Sequence, residues 1–413
     1  MRQVGTNLPK VGQYNRAVVL DQIQLADGIS RVEIAELTGL TPQAVSGIVR
    51  RLIDEGIVQE GGARTSNGGK PRTLLHVNAD AGRAVGVHFD PVRLACVVVD
   101  LLGRPLVMTQ RPTPSAADPA QIAAAIAELV DEVLATAGVQ CNQVLGLGLA
   151  APGPIDQSLG MLVAPPQLVG WTRVPLKAMV AEATGLPVTL DNDATAAAIG
   201  ERWAGAGRGV ADFAYFFLGT GVGGGLVLGH QVHRGGSMNA AEFGHTSVQP
   251  GGPACYCGNL GCLESLISPA ALVAQIRRRL DAGEGDGSAL DRLHRHDPTA
   301  VDYAALCCAA AEGDPLAVDV VEAAAQWLAT VVVNVVNIVD VDLVILGGHG
   351  IRHVETRYRN AVERALTTRA LARRIRTTRV EISPLGPDAA AVGGATLVLH
   401  AAYSPQVSEL LAQ

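Results

Sequence analysis

The chain has 413 residues, 48% of them hydrophobic and 17% charged, enough for two or three compact units with sizeable cores. Its net charge of −7 excludes a protein that coats nucleic acid without selectivity. The charge is uneven: residues 1–80 carry nine Lys/Arg against eight Asp/Glu, and residues 61–79 hold Arg64, Lys70 and Arg72 with no acid.

From the N-terminus, Asn15 to Leu25 shows apolar residues at helical spacing. Ser30 followed by Glu33 predicts a capping box opening a second helix, Gly39 allows a turn, and Thr41-Pro42 reads as an N-cap with proline at the first helical position. A third helix puts Val45, Ile48, Val49, Leu52 and Ile53 on one stripe and ends at Gly56. Its opposite face offers Gln43, Ser46, Gly47 and Arg50, short or flexible polar groups suited to a major groove. The stretch "IVQEGGARTSNGGKPRTLLHVN" alternates on both sides of a glycine turn, which predicts a hairpin wing placing Arg64, Lys70 and Arg72 within reach of phosphates. A plain helical bundle with a basic hairpin is the bland alternative; the wing and the short inter-helix turn favour a winged helix-turn-helix that reads operator DNA.

From Arg83 the pattern changes to strands. The runs "AVGVHFD" and "LACVVVD", an alanine-rich helix and the strand "VLGLGLAAPGPID" predict an α/β body with a mixed sheet. The segment "WLATVVVNVVNIVDVDLVIL" reads as a buried helix running into a buried strand, since Asn334, Asn337, Asp340 and Asp342 interrupt it, so no membrane is expected. No charged start followed by an apolar run is visible, and seven cysteines read as reduced thiols, which together predict a cytoplasmic protein.

The segments "GLGLAAPGPID", "LDNDATAAAIGE", "LGTGVGGGLVLG", "EFGH" and "CYCGNLGCLE", in that order, resemble the ROK family of repressors and sugar kinases over about residues 10–400. The winged helix is similar to that of the family's repressor branch. The resemblance implies an actin-like (ribonuclease H-like) pair of lobes. Lobe 1 would comprise 81–198 completed by 384–413, lobe 2 would comprise 199–383, and the DNA-binding domain 1–80.

Cys255-x-Cys257-x4-Cys262 with His245 ten residues earlier supplies three thiolates and one imidazole, the ligand set of a closed, structural zinc site. Free thiols are the alternative; the matching His and three Cys of the ROK family favour Zn2+. The same resemblance assigns Glu242, Glu264 and His245 to a sugar, where carboxylates suit the clustered hydroxyl donors of a pyranose. Surface ion pairs are the competing role for the glutamates. Asn192 stands at the family's sugar-binding asparagine and Asp193 at the kinases' general base, although Thr195 replaces a usual asparagine, and Asp191 and Asp193 are also candidate helix N-caps. Gln167 and Trp171 fall near a loop that faces the sugar in the family, without an assigned role.

The nucleotide half departs from that pattern. "GTGVGG", Gly219 to Gly224, keeps one phosphate-type hairpin, but where ROK kinases read Asp-x-Gly-Gly-Thr-Lys this chain has "HFDPVR", with His88 in the aspartate's place and Pro91 lacking an amide hydrogen. His349 interrupts the glycines of "LGGHGI". Phosphoryl transfer depends on positioning and charge stabilisation, so these losses predict a regulator without catalytic residues, working as a homodimer or homotetramer and answering to a sugar or sugar phosphate. An active sugar kinase with an appended DNA module, and a constitutive DNA-binding protein with a relic cleft, are the competing readings.

Overall fold

The computed structural model describes residues 8–26, 28–66, 69–114 and 118–404, with the backbone alone over 8–10 and 63–71. Helix α1 (Leu8–Leu25) precedes α2 (Arg31–Thr38) and α3 (Pro42–Asp54), and strands β1 (Val58–Ser66) and β2 (Gly69–Val77) form the antiparallel wing. The local signals act as expected: Ser30 and Glu33 complete the capping box, Gly39 takes φ 70°, and the Thr41 side chain accepts from Ala44 N. Helix α1 starts seven residues before the predicted Asn15, because Pro9 lies in its first turn, where a missing amide hydrogen leaves no helical bond unmade.

The first body sheet runs through β3 (Arg83–Phe89), β4 (Arg93–Asp100) and β5 (Pro105–Pro112), an antiparallel meander. Helix α4 (Pro119–Ala137) leads to β6 (Val144–Ala151). A small sheet of β7 (Ile155–Asp156), β8 (Met161–Val163) and β9 (Arg173–Val174) and helix α5 (Leu176–Thr184) precede β10 (Val188–Asn192). The main order is β10-β6-β3-β4-β5, with β10, β6 and β3 parallel. Helix α6 (Asp193–Ala204) crosses to the second sheet, β11 (Phe213–Leu218), β12 (Val222–Leu228) and β13 (Gln231–Val232). Helices α7 (Leu263–Ile267), α8 (Pro269–Asp281), α9 (Ala289–His296), α10 (Tyr303–Glu312) and α11 (Pro315–Val339) lead to β14 (Leu343–Gly347), then α12 (Glu355–Arg369) and β15 (Arg379–Ile382). That order, β13-β12-β11-β14-β15, repeats the meander-plus-parallel-pair plan of the first sheet. Two such sheets facing one cleft give the actin-like body that the resemblance implies. Helix α11 is long and apolar enough to cross a membrane by length and composition, but most of it is buried in the second lobe's core.

Helix α13 (Ala389–Tyr403) returns to cover β3 and β6. The approach is close enough that a Cβ on Gly148 would stand 1.7 Å from Gly394 O, and one on Gly86 2.0 Å from Ala391 O. The boundary expected at 198 falls inside α6, which packs along α13 and against β12. The boundary at 80 crosses one apolar core: Val19, Leu20, Ile23 and Leu75 of the winged helix share it with Val97, Trp203, Ala395 and Leu399 of the body.

Near that junction Glu201 is fully buried, with Oε2 accepting from Ala206 N at 2.8 Å and Oε1 from the Ser383 hydroxyl. Burial pushes its pKa up to about 7. The folded state therefore holds the proton more tightly than the unfolded chain. Its stabilising effect is complete below the unfolded value and fades as pH rises towards 7, a loss of about 2–3 kcal/mol from this group. Urea unfolding at about pH 5 and about pH 8 should show a smaller decline for Glu201→Gln than for the parent protein; equal declines would contradict the assignment.

Candidate functional site

The strand ends of the first sheet place the cleft. His88 pairs with Ala150 and Asn192 with Ala151, so β3, β6 and β10 finish level, and ligands of α/β sheets sit beyond such carboxyl ends. A cavity of about 600 Å³ opens there, lined by Asn192, Asp193, Glu242, His245 and Glu264, all five residues singled out for a sugar. Asp90, Gln167, Thr220, Asn239 and Tyr256 also line it.

The polar wall is built by local constraints. Asn192, not Asp191 or Asp193, provides the main N-cap of α6: its Oδ1 accepts from Ala194 N at 3.0 Å and Thr195 N at 3.2 Å, leaving its amide nitrogen uncommitted to the helix. Asp191 is buried and pairs with Arg234 at 2.5 Å and Gln157 at 2.9 Å. Glu264 is fixed by Val222 N, 2.7 Å from Oε2, and a Cβ on Gly221 would stand 2.3 Å from that oxygen. The glycine of the β11–β12 turn thus serves the glutamate's seat. Burial pushes Glu242 up to about 7, with repulsion from Asp193 and Glu264 acting the same way. Among the described residues neither cavity glutamate is in an ion pair. Trp171 stacks on Phe89 with 5.6 Å between centroids and is 2% exposed, so it is core, whereas Gln167 reaches the cavity.

Behind this wall, one ligand atom each from His245, Cys255, Cys257 and Cys262 lie within 4.8 Å of one another. A tetrahedral zinc with bonds of about 2.3 Å to sulfur requires ligand atoms about 3.8 Å apart. Cys257 Sγ and Cys262 Sγ are 3.7 Å apart, and Cys255 Sγ lies 3.5 Å from His245 Nδ1. Burial and the neighbouring thiols push Cys262 up to about 12, so these thiols need a cation before all can ionise. The donor set fits a metal ion. Gly261, at φ 65°, makes the turn possible, since a Cβ there would meet Gln249 O at 1.8 Å.

The turn after β3 is closed on itself by a carboxylate. Asp90 Oδ1 accepts from Val92 N at 2.7 Å and Arg93 N at 2.8 Å, so the turn after β3 spends its amides on its own carboxylate. The strand end thus carries an acid two residues beyond His88, a cavity-lining residue whose Oδ1 is taken up by these amides. Arg93 is held by Asp388 at 2.5 Å and by Gln110 at 3.0 Å. His88 is 1% exposed, its Nε2 3.8 Å from Asp193 Oδ2. Burial holds His349 down to about 4, so it is neutral at ordinary pH.

On the winged helix, Gln43, Ser46, Gly47 and Arg50 are exposed while Val45, Ile48, Val49 and Leu52 are buried. A hollow between α3 and the wing is lined by Arg31, Ser46, Arg50, Gln59 and Asn78; Arg31 and Gln59 were not foreseen, because they converge only in the folded module. Arg64 and Arg72 are cross-strand partners and Arg72 is exposed, but the side chains of Arg64 and Lys70 lie outside the described residues. Arg72→Ala should weaken binding to all DNA sequences alike and lower the salt slope by about 1, read by anisotropy titrations at several salt concentrations. A change confined to one base position would contradict a phosphate contact.

A winged helix on a two-lobed, sugar-kinase-like body with a His/Cys3 cluster beside its cleft defines the class of protein. Residues 85–401 match the ROK family and residues 18–59 the winged helix-turn-helix DNA-binding family. The chain belongs to the ROK family. It is 29% identical over 389 residues to a putative xylose repressor of Caldicellulosiruptor sp. (strain Rt8B.4), covering 94% of this chain and 96% of that one. Among solved structures it is similar to a ROK family transcriptional regulator, a homologue of the E. coli MLC protein, with TM-score 0.78 and 26% identity over 98% of this chain and 100% of that one. It is also similar to a ROK family glucokinase from Streptomyces griseus in complex with glucose and AMPPNP, with TM-score 0.69 and 32% identity over 76% of this chain and 99% of that one.

Proposed function

We propose that this protein is a sugar-responsive transcriptional repressor that binds operator DNA through its winged helix and a free sugar in the interlobe cleft, without phosphorylating it. The observation that carries the reading is the contrast within one cavity: the sugar wall of Asn192, Asp193, Glu242, His245 and Glu264 is complete, while the turn at Asp90 has no free amides for a phosphate. Asp193 stands at the kinases' base position but has no transferable phosphoryl group to act on. Four carboxylates, Asp90, Asp193, Glu242 and Glu264, and no Lys or Arg among the described residues line the cavity. A phosphorylated sugar would bring like charge into that wall, so the unphosphorylated sugar is favoured.

His245, Cys255, Cys257 and Cys262 would hold one structural zinc. With four protein ligands no position remains open for a reacting water, and the ion's contribution is to fix Glu242 and Glu264 through the short segments joining them to the ligands. The protein would act in the cytoplasm as a dimer on two half-sites, the geometry that winged-helix operators impose. An effector acts only by binding one lobe arrangement better than another, and a tenfold preference is about 1.4 kcal/mol.

Anisotropy titration of a duplex recovered by in vitro selection tests the reading. D-xylose or D-glucose should change DNA affinity severalfold, and their phosphates should not; indifference to every sugar would favour a constitutive DNA binder. The kinase reading retains one support, the Gly219–Gly221 turn, whose Thr220 hydroxyl lies in the cavity without a protein partner.

A further inference from the structure

Tyr256 stands between the ligand-type thiols Cys255 and Cys257, and neither composition nor spacing assigns it a role. Its ring stands edge-on to His245 with 5.1 Å between centroids, and its hydroxyl lies 2.9 Å from His245 Nε2. Glu264 lines the same cavity, and its carboxylate acts on the same hydroxyl. His245 Nδ1 is turned the other way, to Cys255 Sγ. With Nδ1 given to a metal ion, the ring would carry its hydrogen on Nε2 and donate it to the phenolic oxygen. The phenolic hydrogen is then available to Glu264.

A hydroxyl held between an imidazole N–H and a carboxylate makes the same two hydrogen bonds that a sugar hydroxyl would make at these groups. We infer that Tyr256 is an internal occupant of the sugar subsite, its hydroxyl standing in for a sugar hydroxyl in the ligand-free protein and leaving when sugar enters. This rests on the reading of the cleft as a sugar site. Room for the movement exists, since Tyr256 is 57% exposed and sits at the cavity's edge. With both flanking residues held as metal-type ligands, the backbone stays in place and the ring leaves by rotating about its own side-chain bonds.

Competition of this kind lowers apparent sugar affinity by the fraction of time the subsite is self-occupied. Tyr256→Phe keeps the ring and removes the competing hydroxyl, and the loss of one such bond corresponds to about a fivefold gain in sugar affinity. Isothermal titration of the full-length protein with a panel of free pentoses and hexoses measures it. Metal content and thermal midpoint are read in parallel on Tyr256→Phe and on Tyr256→Leu. The expected result is tighter binding by Tyr256→Phe of the sugar the parent binds, at equal metal content. Unchanged or weaker binding overturns the role of Tyr256 while leaving the cleft reading standing. Binding of no sugar by parent or variant overturns the cleft reading itself.

Discussion

Arg202→Ala is expected to destabilise the junction between the DNA-binding module and the body by about 3 kcal/mol or more. Arg202 Nη2 lies 3.0 Å from Asp21 Oδ1 with the two side chains 6% and 12% exposed, and its Nε donates to His230 O at 2.9 Å. Removing the guanidinium leaves the Asp21 carboxylate buried without a counter-charge. The location gives the pair a second effect. Helix α6 begins at Asn192 and Asp193 in the cleft and carries Arg202 and Trp203, about 15 Å further along, under the winged helix. Gln24 Nε2 adds a bond to Trp203 O, and Arg208 donates to Gln24 O. One rigid element thus touches both the sugar wall and the DNA module. Thermal unfolding should show an earlier transition for Arg202→Ala, and sugar should alter DNA affinity less than in the parent protein. The double variant Asp21→Leu/Arg202→Met should recover much of the stability, since an apolar pair leaves no unpaired charge. An unchanged midpoint in the single variant would show that the ion pair does not fasten the module.

The second large effect is expected from the metal loop. Cys262 is fully buried and its thiol lies against Cys257 and the His245 carbonyl. Cys262→Ser, or removal of metal by a chelator, should release the segment between His245 and Glu264 and lower sugar affinity by about a hundredfold, the upper range for lost metal support. Among the described residues no hydrogen bond or ion pair joins the winged helix to this loop, so DNA binding without sugar should persist. Full sugar affinity in metal-free protein would show that Glu242 and Glu264 hold their places unaided.

Much of this was legible because it is local. The capping box at Ser30, the Thr41-Pro42 helix start and the wing are each set by a few neighbouring residues. The cysteine and histidine spacing announced the cluster, and the order of the glycine-rich motifs announced the lobes. What was not legible joins residues far apart. Asp21 and Arg202 are separated by 181 positions, and nothing in either neighbourhood marks the partner. The expected helix caps were Asp191 and Asp193, but asparagine serves equally, and the fold uses Asn192 while burying Asp191 against Arg234. The absence of glycines at the β3–β4 turn was visible, but not the capture of its amides by Asp90, because a carboxylate in a turn reads equally as a solvent-facing group.

The central claim is that the cleft recognises a sugar and leaves it chemically unchanged. Release of ADP from Mg-ATP by the purified protein, measured across free pentoses and hexoses that raise its thermal midpoint, tests this most directly. The account predicts no ADP above the sugar-free blank for any sugar that binds. Sugar-dependent turnover near ~10 s⁻¹, ordinary for an enzyme, would contradict it.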